Sequence, residues 1–449
     1  MALATSALAA DQAALSATAD NISNQNTEGY TRRAVSWSSG DAVVLGGTTT
    51  ARGITATAVA QRDNVLQRAV VMAAESSSAS DTRLAALDDL QSLFKIDSSG
   101  DDASGIGAAV SDFFNAASAL GSRPTDGIAR QTVFTAAHAL ASALNRTAGQ
   151  MAVQSASLNQ TIEIAVAQAN DLASTIASLN RQISQAAAGD DAEALLDERD
   201  LAVMKLAKLM DVNTITSSAG RMSLALSDGT PLVMGSSALP LTTGKVNGQT
   251  RIYASVSVGG AEVSAAFHGG SIGGALQVRD SDIPGVMAQL DAIAGAISSA
   301  VNTQNAEGTD VTGAPGGAIF SGSTASTLTV VARDAGAIAA SPDGSNAADL
   351  GALQDALLVG GRTFSGAFSD TISSLGTVVF GAETKNTSDT SVLTQMMKQR
   401  DAVSGVSLDT EAANLTQFQR SYQAAAKILS IVNQLMAQAI NLGTPTTVS

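Results

Sequence analysis

LDTEAANLTQFQRSYQAAAKILSIVNQLM, residues 408–436, places a large apolar or aromatic side chain at every seventh position: Leu408, Leu415, Tyr422, Leu429 and Met436. Phe418, Ala425, Val432 and Ala439 each follow one of these by three positions, and Glu411 interrupts that second row. This is an a/d seam of five repeats. It predicts a helix from about Ser404 to Leu442, on the order of 55 Å long at 1.5 Å per residue. Its apolar stripe requires cover from another helix.

The opposite end of the chain supplies a partner. Leu8, Leu15 and Ile22 are also seven apart, within a run rich in alanine (Ala7, Ala9, Ala10, Ala13, Ala14, Ala17, Ala19). Alanine favours helix but buries little area. Alone, this segment is a marginal helix in water; against the C-terminal helix it gains a covered face. The expectation is that the two ends meet in a coiled coil. The alternative is two unrelated surface helices on one core.

Composition narrows the function. The 449 residues carry a formal charge of −15, no cysteine and 3% aromatics. An acidic surface is a poor partner for nucleic acid, which needs a basic footprint, and for anionic membranes. Without cysteine there are no disulfides, thiol catalysis or thiolate metal sites. The opening MALATSALAADQAALSATAD has no basic n-region and includes Asp11 and Asp20, unlike a secretory signal. No run of apolar residues is long enough to span a bilayer, so membrane insertion is not expected.

The fold expected is mainly α with an inserted β region: paired terminal helices in a coiled coil, an elongated helical bundle and a small outer β domain. Residues 1–60 read as the N-terminal helix and an extended arm. Residues 61–210 read as the first part of the bundle, with a second seven-residue row (Leu144, Met151, Leu158, Ala165, Leu172, Leu179) in a helix from about Thr125 to Ala188, and Pro124 in its first turn. Residues 211–345 read as a small β-rich domain, with strands at 212–215, 222–226, 231–234 and 252–258 and a helix at about 283–305. Residues 346–403 return through the bundle, and 404–449 form the C-terminal helix.

Few residues suggest chemistry. Gly269-Gly270-Ser271-Ile272-Gly273 matches a nucleophile elbow, but that design needs a histidine after the serine. Both histidines, His138 and His268, precede Ser271. A hydrolase would need another base, such as Lys245. The run reads better as a Gly-rich turn. Asp197-Glu198-Arg199-Asp200 puts carboxylates on one helix face; Arg199 and the lack of further oxygen ligands favour a solvated face with ion pairs over a cation site. Catalytic residues, cofactor and metal are all expected to be none, and the chain reads as an assembly protein rather than an enzyme.

Three runs carry a resemblance. Asn21-Ile22-Ser23-Asn24-Gln25-Asn26-Thr27-Glu28-Gly29-Tyr30 is similar to the signature of flagellar axial proteins, with Asn21, Asn24, Asn26, Gly29 and Tyr30 as its marks. Leu195-Leu196-Asp197-Glu198-Arg199-Asp200 and the segment from Ser404 to Lys427 resemble the hook-associated family that joins hook to filament, with Asp197, Arg199 and Asp200 as the marks of the former. Two departures stand out: Glu28 replaces a customary proline, and the chain is short, which implies a reduced outer domain. The resemblance implies a structural adaptor of the bacterial flagellum, outside the cell, exported through the flagellar type III apparatus without a cleaved signal. The implied partners are copies of itself in a ring or helical layer, hook protein, a second junction protein or flagellin, and an export chaperone on the C-terminal helix. The assembly interface is expected at Leu8, Leu15, Ile22, Leu408, Leu415, Phe418, Tyr422, Leu429, Val432 and Met436. The alternatives are another axial protein, such as hook protein or a flagellin-like chain, or a serine hydrolase using Ser271.

Overall fold

A computed structural model describes residues 2–39, 42–45, 48–51, 53–94, 105–186, 190–216, 221–255 and 260–442. Helix α1 (Ala2–Ser23) stops at the Asn-rich run, where Gly29 adopts φ +83°, a left-handed turn that glycine makes without strain. Four strands follow: β1 (Arg33–Ser39), β2 (Ala42–Leu45), β3 (Thr48–Ala51) and β4 (Ile54–Ala60). β1 pairs antiparallel with β4, from Arg33 opposite Ala60 to Ser39 opposite Ile54, and β2 pairs with β3. The Asp63 carboxylate accepts from the amides of Val65 and Leu66 and so starts α2 (Asn64–Ser92).

Helices α3 (Ile106–Gly121), α4 (Gly127–Gln185) and α5 (Asp190–Ala207) come next. α4 holds 59 residues, roughly 88 Å at 1.5 Å per residue. The cap of α4 is Asp126, which accepts from Ile128 and Ala129. Pro124 therefore lies before the helix rather than in its first turn. Leu144, Met151, Leu158, Ala165 and Leu179 of the seven-residue row are buried, and Leu172 is half-buried.

The inserted strands lie along α4. β5 (Asn213–Thr216), β6 (Met222–Ala225), β7 (Pro231–Met234) and β8 (Ser237–Ala238) form one antiparallel sheet; β9 (Leu241–Val246), β10 (Gln249–Ala254) and β11 (Ala261–Glu262) form another. The β9–β10 turn is Asn247-Gly248, both left-handed, as a two-residue hairpin requires. Residues 256–258 of the expected strand lie outside the described residues. Three asparagines of α4 peg these sheets to the helix. The Asn159 Oδ1 accepts from Thr250 N (2.9 Å); Asn170 both donates to Leu241 O and accepts from Leu241 N (2.8 Å each); Asn180 donates to Met222 O and Gly235 O (2.7 Å each). A side-chain amide offers the donor and acceptor that a neighbouring strand would, so these strand edges are satisfied without another strand. Leu224, Leu232, Val233, Leu241 and Ile252 join the same core as Leu144, Met151 and Ile162. The chain is mainly α with an inserted β region, but that region shares the core of α4 instead of standing apart over 211–345.

α6 (Gly270–Gln277) runs through a π-helical turn into α7 (Ile283–Glu307). The Gly-rich run expected as a turn is therefore helical. A Cβ on Gly274 would sit 2.3 Å from Ala79 O, and one on Gly270 (φ +65°) 2.2 Å from Leu209 C. Glycine lets α6 lie directly on the backbone of α2 and on the end of α5. Short strands β12 (Phe320–Ser321) and β13 (Thr329–Val330) and helix α8 (Ser345–Ala352) lead to α9 (Phe364–Ser404), which packs on α2. α10 (Leu408–Leu442) is a separate helix, because Gly405 turns extended (ψ 156°) after its amide closes on Asp401 O.

Candidate assembly site

The two ends of the chain meet. α1 packs on α10 along one side and on β1 and β4 along another. Its closed face is made of Ala10, Asp11, Ala14, Ala17, Thr18 and Asn21, all buried. Leu8, Leu15 and Ile22, expected as the seam, are half-buried at its margin. The reason is steric: a helix held between a second helix and a hairpin admits small side chains on the side that closes tightest. On α10, Glu411 and Ala425 are buried and Leu415, Phe418, Leu429 and Val432 half-buried, whereas Leu408, Tyr422 and Met436 are exposed. The row 411–418–425–432 thus faces inward, and three members of the other row point outward. Ser421 Oγ donates to Asp11 Oδ2 (3.0 Å) across the pair, and Trp37 of β1 rests against Phe418, ring centres 6.1 Å apart.

Glu411, the apparent break in the seam, is 1% exposed and accepts from Arg32 Nε at 2.7 Å. The terminal unit joins the rest of the molecule near this pair, where three passes of the chain are laced together. Arg32 N donates to Ser404 O (2.9 Å), Gln61 N to Arg32 O (2.9 Å) and Ser404 Oγ to Gln61 O (2.7 Å).

The signature residues set this joint. Asn21 Oδ1 accepts from Arg33 N (2.7 Å) and from Tyr30 Oη (2.9 Å), while its Nδ2 donates to Arg33 O (2.9 Å). The Tyr30 ring lies under the Arg33 guanidinium, 5.1 Å from its carbon. Arg33 Nη2 then donates to Asp197 Oδ2 at 2.7 Å. Arg62 meets the same helix: Nη2 reaches Asp197 Oδ1 (2.6 Å) and Glu193 O (2.9 Å), Nη1 pairs with the Glu193 carboxylate, and Nε lies 3.5 Å from Asp200. Gly29 sits against Leu201, and a Cβ there would come within 3.1 Å of Leu201 Cβ. Asn24 donates to Asp20 O (3.0 Å) and accepts from Thr27 Oγ1 (3.2 Å); Asn26 is exposed.

Asp197 is buried, so the Asp197–Asp200 run is not the solvated face expected from spacing. Arginines from the arm cover it. Burial opposes the charge on Arg62, but Asp197, Asp200 and Glu193 outweigh it and hold its pKa above the ordinary arginine value. Burial pushes Asp200 up despite Arg62 and Arg199. The two directions agree physically: one guanidinium shared among three carboxylates serves the most distant least. Burial lowers Arg199, whose Nη1 donates to Asn180 Oδ1 (3.2 Å) and so ties α5 to the asparagine peg of the β5–β8 sheet. Sequence reading missed Arg32, Arg33, Arg62, Glu193 and Asn180. The signal available was charge, arginines flanking an otherwise apolar–polar arm.

Ser271 lies in the first turn of α6, its amide donating to Lys208 O (2.9 Å), which is a docking contact. Among the described residues, no group of three His, Asp or Glu side chains is placed to hold a metal ion, and no helix is long and apolar enough to cross a membrane.

Residues 96–320 match the family model described as the flagellar hook-associated protein FlgK helical domain. The chain belongs to this family. Its ends match broader axial models, flagella basal body rod protein over residues 1–31 and flagellar basal body rod FlgEFG protein C-terminal over 397–442. It is 26% identical over 550 aligned positions to flagellar hook-associated protein 1 of Salmonella typhimurium (98% of this chain, 99% of the relative) and 27% identical over 491 positions to that of Bacillus subtilis (97% and 96%). The longer alignment exceeds the 449 residues here, so the Salmonella relative carries segments this chain lacks. The fold is similar to the flagellar hook junction protein FlgK from Burkholderia pseudomallei, with TM-score 0.69 and 18% identity over 74% of this chain and 99% of that one. This hook-associated chain is a structural component of the bacterial flagellum.

Proposed function

We propose that the chain joins hook to filament, and that it enters that assembly through its paired terminal helices. The outer face of α10 carries this reading. Ile428, Ile431, Leu435, Met436 and Ile440 are between 47% and 70% exposed, on a helix whose other side already rests on α1. A contiguous apolar stripe of this kind on a soluble chain marks a surface that partners cover. The total accessible surface agrees: 22418 Å² against roughly 15,700 Å² for a compact monomer of 44.9 kDa.

Copies of the same chain in a ring or helical layer cover part of that stripe, with hook components on one side and filament components on the other. Before assembly an export chaperone shields it, and export runs through the flagellar type III apparatus. The chain runs no reaction. Locating an epitope-tagged chain by immuno-electron microscopy tests the position. Label at the hook–filament boundary supports it; label along the hook or along the filament overturns it.

A further inference from the structure

Two faces of the helical body stand open, and they lie on different helices. α9 packs on α2 and α7, α2 packs on α6, and α6 packs on α4, so other helices stand between α9 and α4. On α9, Phe380 is 69% exposed on a face that is otherwise polar, with Ser373, Thr377 and Thr384 around it. It borders a groove of about 320 Å³ between α9 and α2, lined by Leu84, Asp88 and Gln91 of α2 and by Glu383. On α4, Arg146, Val153 and Ile164 are exposed and fall on one line down the solvent face, because seven residues are close to two turns and eleven close to three. Gln154 Nε2 donates to Ala86 O (2.6 Å), which sets Val153 level with the turn of α2 that lines the Phe380 groove. The charges of the two faces are opposite. The groove is lined by two exposed carboxylates, Asp88 and Glu383, and by no cation, and the α4 line carries Arg146. Among the described residues none of these three belongs to an ion pair.

We propose that these two faces bind each other between copies of this chain: the Val153 line of α4 in one copy lies along the α2–α9 groove of the next, with Phe380 as the anchor and Arg146 set against Asp88. Different patches of one chain that fit each other make a heterologous contact, and such a contact repeats around an axis as a ring or a helical layer. Their equal height along the body lets neighbours stand side by side. An exposed aromatic at the edge of a groove is the kind of side chain that dominates an interface once water is excluded. The single arginine against a carboxylate sets which faces meet. This contact rests on the reading that copies of the chain form one layer, and it adds to the terminal helices a second contact, between bodies.

The chain has no cysteine, so introduced thiols are the only ones present. Ser157→Cys lies one turn after Val153 on α4, and Thr384→Cys one turn after Phe380 on α9; both positions are exposed. Flagella assembled with the double variant are isolated and treated with a short bis-maleimide. The expected result is a ladder of multiples of the chain, with the 157–384 link identified in tryptic peptides and no ladder from either single-cysteine variant. Adding Arg146→Glu lowers the yield of that link by about two- to fivefold, the range of an exposed ion pair, and combining it with Asp88→Arg restores the yield. Absence of the 157–384 link in flagella whose copies are joined by glutaraldehyde overturns the body contact and leaves the layer standing. Absence of copy-to-copy links with both reagents overturns the layer and the contact with it. Dimers from a single-cysteine variant mean that like faces meet, which overturns the heterologous pairing.

Discussion

Arg33 and Asp197 are 164 positions apart in sequence, and the Arg33 Nη2 donates to the Asp197 carboxylate at 2.7 Å. Arg33 is positioned by Asn21 and Tyr30 of the axial signature, and Asp197 is part of the run that resembles the hook-associated family. The signature thus has a mechanical meaning. Its buried asparagine clamps the start of β1, and the clamp aims an arginine at α5.

The outer stripe of α10 predicts an assembly defect without a folding defect. Ile431→Asp and Leu435→Asp place a charge on side chains that are 47% and 58% exposed in the free chain. Surface substitutions of this kind shift stability by about 0.5 kcal/mol or less. The expected outcome is an unchanged melting temperature with loss of incorporation into flagella, read by labelled electron microscopy. Normal incorporation of both variants removes α10 from the interface.

The Arg32–Glu411 pair predicts an asymmetric mutant cycle. Arg32→Met strands Glu411 as a buried, unpaired carboxylate and costs about 3–5 kcal/mol of terminal-unit stability. Combining it with Glu411→Leu recovers most of that loss, because both charges are then gone. Urea unfolding of the two single variants and the double variant checks it; a double variant as weak as Arg32→Met contradicts the account.

Gly274 predicts intolerance of the smallest side chain. An added Cβ meets Ala79 O at 2.3 Å, and that backbone oxygen has no rotamer by which to move away. Gly274→Ala separates α6 from α2 and costs about 1–3 kcal/mol, seen as a lowered unfolding midpoint. Gly127→Ala, with nothing within 4 Å of the new atom, serves as the neutral reference.

Glu75 predicts a pH dependence. Its carboxylate accepts from Val212 N (2.9 Å) in a cavity of about 260 Å³ shared with Asp211, His268, Arg83 and Lys385. Arg83 pairs with Asp282 and Lys385 with Asp389. Burial pushes Glu75 up from 4.5 to about 7, with Asp211 adding to the push and the Val212 amide opposing it. A carboxyl raised in the folded state binds its proton more tightly there than in the unfolded chain, so its contribution is greatest below pH 4.5 and is lost as pH rises to about 7. Glu75→Gln keeps the acceptor without the charge. It is therefore expected to be more stable than the parent above pH 7, by about 1–3 kcal/mol, with the gap closing toward pH 4.5. Thermal melts from pH 4.5 to 8 measure it; a gap that is constant with pH contradicts it.

What the sequence revealed followed side-chain size. The seven-residue rows of α4 and α10 are written in leucine, methionine and phenylalanine, and periodicity finds such residues. The inward face of α1 is written in alanine, aspartate, threonine and asparagine, whereas its large apolar residues at seven-residue spacing, Leu8, Leu15 and Ile22, lie at the margin. Glu411 looked like a flaw in the seam because its partner, Arg32, is 379 positions away. The strands on α4 looked like a domain of their own because nothing local shows that Asn159, Asn170 and Asn180 reach across to them. Pairings between distant polar groups leave no periodic trace.

α4 runs unbroken from Gly127 to Gln185, and Asn180 near its end is bonded to Arg199 of α5, the helix that receives Arg33 and Arg62. A strut of that length is a lever. Sideways load on its far tip arrives at the joint as torque, multiplied by the distance over which it acts. The guanidinium–carboxylate bonds of Arg33 and Arg62 stand at the short end of that arm and share its bending moment with the three chain crossings beside them.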